Sequence, residues 1–139
     1  MIEEIQDVII EQLKMIEGVA TVGAWQGEID DLLKTPQRMP SLHVIYQGAD
    51  FEPFEQVGET TAAAMDFLIV LIAQNPKSRA AGSVAAYGII EGVREKLIGH
   101  WVKQYDFLRP MSEDLISAQG GTLVYGLRYQ LSNVLIETD

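Results

Sequence analysis

At 139 residues, 47% hydrophobic and 22% charged, the chain has the size and composition of one folded domain rather than of a disordered segment. Twenty acids against ten lysines and arginines leave a net charge of −10, a field that repels phosphate backbones and anionic lipid, so neither nucleic acid nor a membrane surface is expected as a partner. The absence of cysteine excludes disulfides, thiolate metal sites and cysteine nucleophiles, and fits a reducing compartment.

The first predicted element is an amphipathic helix over Ile2–Glu17. Ile2, Ile5, Ile9, Leu13 and Ile16 form its apolar stripe, reinforced by Val8, and Glu3, Glu4, Asp7, Glu11 and Lys14 take the other side. The acidic start is wrong for a secretory signal, and Gly18 is placed to end the helix. A short β segment follows at Val19–Trp25, then one or two helical turns at Glu28–Lys34, stopped before Pro36. Ser41–Gln47 predicts a strand with Leu42, Val44 and Tyr46 opposed to His43 and Ile45. Gly48 to Glu55 reads as a turn carrying Phe51 and Phe54 among acids.

The next strand begins near Thr60 and runs through Met65 to Ala73, and Asn75-Pro76-Lys77-Ser78-Arg79 breaks it. Within it Phe67, Ile69 and Leu71 point one way and Leu68, Val70 and Ile72 the other, so both faces call for cover. This longest apolar run, Phe67–Ala73, is far too short to cross a bilayer as a helix. A second helix is expected to start at Gly82-Ser83, with Ser83 as N-cap, and to follow Ala86, Ile89, Ile90, Val93 and Leu97 to Ile98, with Gly99 closing it. Leu115–Ala118 and Thr122–Ile136 flank Gln119-Gly120-Gly121, a hairpin turn. In the last strand Leu123, Tyr125, Leu127, Tyr129 and Leu131 alternate with Val124, Gly126, Arg128, Gln130 and Ser132, one apolar face against one largely polar face.

The order predicts an α+β fold, a mixed and mostly antiparallel sheet with two main helices packed on one face. A strand dry on both faces beside one wet on one face needs more cover than two short helices supply. Part of the sheet is therefore expected to be buried against neighbouring copies.

Nothing in the chain spells out a reaction. His43 and His100 have no second histidine or cysteine at metal-ligand spacing. Glu28, Asp30 and Asp31 are the densest acids, but they lack the alternating pattern and glycine of a calcium loop, and acids suit a helix start. There is no phosphate-binding glycine motif and no G-x-S-x-G elbow. No catalytic residue, cofactor or metal is predicted. The rival enzymatic reading is a small divalent-metal enzyme built on Glu28, Asp30, Asp31 and His43.

Three features suggest contact surfaces. Ala85, Gly88 and Gly92 share a helix face, either for packing inside the subunit or for a seam between subunits. Phe51 and Phe54 either anchor an interface or fold back over the core. Lys77 and Arg79 either meet an acidic patch on a neighbour or stay solvated.

The first helix, the segment Met39-Pro40-Ser41-Leu42-His43-Val44-Ile45-Tyr46-Gln47-Gly48, the block Asp66–Ala73, the basic loop, the helix to Leu97 and the closing Tyr125-Gly126-Leu127-Arg128-Tyr129 together resemble the Mu-like phage tail protein family. Through it the chain resembles the phage tail terminators, or tail-completion proteins. The resemblance implies a homo-oligomeric ring, usually hexameric, that caps the finished tail tube and presents a head-joining surface. It implies copies of itself, the tail tube protein and head–tail connector proteins as partners, the bacterial cytoplasm during assembly and the virion tail afterwards. It carries over no catalytic residues, and a head-side neck protein is the nearest alternative. Phe51, Phe54, Lys77 and Arg79 are the interface candidates.

Overall fold

The computed structural model describes residues 1–53, 60–74 and 79–137, with residues 79–84 by backbone alone. In chain order the elements are α1 (Ile2–Leu13), β1 (Thr21–Ala24), α2 (Ile29–Lys34), β2 (Ser41–Phe51), β3 (Thr60–Gln74), α3 (Arg79–Leu97), β4 (Trp101–Val102), β5 (Asp106–Ser117) and β6 (Thr122–Glu137). The strands form one sheet in the order β1-β2-β3-β6-β5-β4. Among the described residues only β1 and β2 run parallel, and every other pairing is antiparallel. The α+β expectation, with a mostly antiparallel sheet, is met.

The two faces of β3 meet different cover. Phe67, Ile69 and Leu71 join Ile5, Ile9 and Leu13 of α1 and Ala86, Ile90 and Val93 of α3 in the main core, together with Leu127, Tyr129 and Leu131 of β6. Leu68, Val70 and Ile72 pack on the opposite face with Leu32 of α2, Ile45 and Val124. Fully burying an Ile, Leu or Phe side chain contributes roughly 1.5–3 kcal/mol, so this central strand ties both layers together. The surplus apolar surface expected at Phe67–Ala73 is absent, because the six-residue α2 covers the second face from within the chain.

Several boundaries differ from the sequence expectation, each for a local reason. The helix predicted to Glu17 ends at Leu13, where Met15 and Ile16 N–H groups turn to the i−3 carbonyls of Gln12 and Leu13. The turn expected at Gly48 is a bulge instead: Gly48 adopts φ +131°, the register slips between Tyr46 and Gly48, and β2 continues to Phe51. Helix α3 is already under way at Arg79, so Ser83 lies inside it rather than at its cap; Ala80 and Ala81, strong helix formers, precede Gly82. The two-residue β4 was not foreseen, and β5 begins at Asp106, well before Leu115. Pro110 and two register shifts hide β5 from the alternation test, both tolerable in a strand at a sheet margin. The hairpin turn is as expected: Gly120 and Gly121 take φ +61° and +79°, and Thr122 N–H donates to Gln119 O at 3.0 Å.

Candidate assembly surface

The sheet has two unlike free margins. β5 pairs with β6 on one side; on the other, β4 meets Asp106 and Phe107, and Leu108 exchanges backbone hydrogen bonds with Gly99 and His100. From Arg109 to Ser117 its outer edge carries backbone groups with no strand beside them among the described residues. At the other end β1 pairs with β2 only over Ser41–Val44, and the Trp25 N–H closes the pairing on Val44 O at 3.0 Å. Beyond that point β2, through Gly48 to Phe51, is paired by β3 alone among the described residues.

Apolar side chains gather at the β5 margin. Met111, Leu115 and Ile116 of β5 are about half exposed, while Leu135, 61% exposed, lies apart from them on β6, opposite Ala62 and beyond the start of β5. Leu115 stands opposite Tyr125 on the helix-bearing face. Ile116 lies on the other face, where a Cβ added at Gly126 would come within 2.9 Å of its Cδ1. Leu135 shares that face, because its neighbour Val134 points into the helix-side core. The cluster under α2 reaches Leu68 and Val124, next to Ile116, but includes neither Ile116 nor the distant Leu135.

Polar groups frame the patch. Arg94 of α3 clasps Glu113 of β5 with two hydrogen bonds, Nε to Oε2 at 2.8 Å and Nη2 to Oε1. That fork holds the Glu113 carboxyl below the usual carboxylate range and raises the Arg94 guanidinium further still. Tyr87 and Tyr125 stand edge to face at 6.5 Å, and with Ile90, Glu91, Arg94 and Glu113 they line a hollow of about 290 Å³. Beneath, burial pushes the Tyr129 phenol up to about 12. At the far end of β5, Trp101, Phe107 and Arg109 stack, with the Arg109 guanidinium carbon 4.2 Å from the Phe107 ring centre. Burial raises the pKa of Asp106, but hydrogen bonds from Phe107 N–H, Arg109 and Asn133 outweigh it, and the net shift is downward.

The sequence candidates are not gathered into one site. Phe51 is exposed at the end of β2, opposite Ala63. Phe54 and Lys77 lie outside the described residues, and Arg79 is described only by its helical backbone. Gly92 faces inward, since a Cβ there would lie 2.9 Å from Cγ2 of Ile16, whereas Gly88 has open space and Ala85 is exposed. His43 is buried, bonded to Ser41 Oγ at 2.9 Å, and burial lowers its pKa. Glu28, Asp30 and Asp31 are exposed around the start of α2, and no cluster of three potential metal ligands occurs among the described residues. No described helix is long and apolar enough to cross a membrane.

Comparisons with known proteins bear on this arrangement. A family model described as "Phage tail terminator protein" matches residues 5–138. Among solved structures, a chain of the virion of a native gene transfer agent particle is similar at a TM-score of 0.57 and 17% identity, over 94% of each chain, a likeness of fold alone. No curated protein matches. With nearly its whole length matched, the chain belongs to the phage tail terminator protein family and is a structural protein of the tail.

Proposed function

We propose that copies of this chain close head to tail into a ring, a hexamer by its resemblance, that caps the tail tube and offers a surface for head attachment. The carrying observation is the pair of unlike free margins at opposite ends of one sheet. Along the sheet, β2, β3, β6 and β5 alternate in direction, because each successive pairing is antiparallel. Copies related by rotation about an axis along the strands keep those directions. The β5 edge of one copy thus meets the β2 edge of the next in antiparallel sense, a heterologous contact of the kind that closes rings. Pro110 and the two bulges of β5 guard this edge against indiscriminate pairing.

In this ring Phe51 sits on one side of the contact, and Met111 and Ile116 on the other. The 139 residues act as a single domain whose role is mechanical, with no catalytic step. Partners are sister copies, the tube protein and head–tail connector proteins. The ring forms in the host cytoplasm and remains in the virion tail. The test adds purified protein to polymerising tube protein and measures tube length by electron microscopy. A ring on tube ends with arrested growth is the expected result; unrestrained tubes with bare ends overturn the reading.

A further inference from the structure

A cleft of about 710 Å³ opens between the start of α1 and the end of β1, away from the β5 margin. Glu3, Gln6 and Asp7 of α1 line one wall, and Trp25, Gly27 and Tyr46 line the other. The wall at Trp25 is fixed: its indole Nε1 donates to Glu28 O at 3.1 Å and its backbone N–H to Val44 O.

Three polar groups at the cleft lack partners. Glu3 and Asp7 stand one helical turn apart, both exposed, and no lysine or arginine pairs with either among the described residues. The neighbouring acids Glu4 and Glu11 do have partners, Lys103 and Lys14. Gln6 is 7% exposed, and its amide donates to Val44 O at 3.4 Å. No described donor reaches its carbonyl oxygen. The cleft thus offers two carboxylates, the amides of Gln6 and Gln26 and two aromatic side chains, and no lysine or arginine lines it. This acidic and aromatic lining complements a guanidinium or ammonium group.

We propose that the cleft seats an arginine or lysine side chain presented by a different tail protein. Charge selects another protein over a sister copy. Each copy carries −10, so a second copy approaches this acidic surface against a net repulsion. A basic partner meets attraction at the same surface.

The chain's two tryptophans make a direct test possible. In a Trp101→Phe background, Trp25 emission is followed while a blocked peptide of alternating threonine and arginine is titrated. The same peptide with glutamate for arginine serves as control. A saturable change with the arginine peptide alone is expected, weakened about tenfold in a Glu3→Gln/Asp7→Asn variant, as the loss of two exposed ion pairs at the upper end of their range implies. Raising salt from about 0.05 to about 0.5 M should weaken it as well. The melting curve of the double variant verifies its fold. Emission unmoved by millimolar peptide, or equal binding by the double variant, overturns the proposal. So does a change in emission on concentrating the protein alone, which would make a sister copy the occupant. None of these outcomes depends on ring closure at the β5 margin.

Discussion

Replacing Gly92 and Gly88 separately by alanine sets two effects against each other on one helix. In a helix interior alanine is favoured over glycine by about 1 kcal/mol. At Gly88 an added Cβ meets nothing within 4 Å, so Gly88→Ala should realise that gain and raise Tm by about 4 °C. At Gly92 the same Cβ lies 2.9 Å from Cγ2 of Ile16, with Cγ1 and Cδ1 at 3.6 and 3.7 Å. Cγ2 is rooted on a β-branched carbon that is stiff at χ1, so it cannot swing aside as the tip of a long side chain would. Relief requires the segment after α1 to back away from α3, and overpacking of this kind costs about 1–3 kcal/mol. The cost exceeds the propensity gain, and Gly92→Ala should lower stability by about 1 kcal/mol. In an Ile16→Ala background the obstacle is gone, and the same substitution should become stabilising. Urea denaturation followed by circular dichroism, at concentrations too low for assembly, completes the cycle. The reasoning fails if Gly92→Ala matches Gly88→Ala, or if its cost survives the loss of Ile16.

The buried ring of His43 has its pKa lowered from 6.5 by burial, so the unfolded chain takes up a proton there before the folded one does. Stability should therefore fall as pH drops through 6.5, and His43→Gln should remove that part of the slope in pH-dependent urea midpoints. Asn133 sits at φ +55° and donates to Asp106 Oδ2 at 3.4 Å. Asn133→Val should cost about 2–3 kcal/mol, from left-handed strain and one lost hydrogen bond; in the same assay, an unchanged midpoint would refute this. Met111→Glu, on β5 itself, should leave monomer stability within about 0.5 kcal/mol, as at other exposed sites. It should also remove rings from electron micrographs, and intact rings would clear that face of a role.

How much the sequence disclosed depended on how regular each element's burial is. β3 and β6 were legible because continuous or alternating hydrocarbon marks strands buried on two faces or on one. β5 escaped because a margin strand tolerates Pro110, and because register shifts at its Pro110–Ser112 and Leu115–Ser117 steps break the period of two. Much of the candidate surface was hidden for the same reason. Leu131 and Leu135 have the same parity in sequence, yet one is fully buried and the other exposed, because the register shift near Asn133 reverses the faces between them. An asparagine interrupting an apolar alternation was the available signal. The reach of α2 over half a sheet depends on long-range packing that no local pattern encodes. Phe51 was singled out because an aromatic beside acids is conspicuous wherever it lies, and the structure leaves it exposed.

The short helix laid over one half of the sheet separates two tasks that could have competed for the same side chains. Hydrocarbon at Leu68, Val70 and Ile72 is spent on making the subunit, and that at Ile116 and Leu135 is held back from it. A subunit divided in this way can wait in solution, finished but unengaged. Under the role proposed above, capping then waits on encounter with a tube end rather than on how quickly the polypeptide matures.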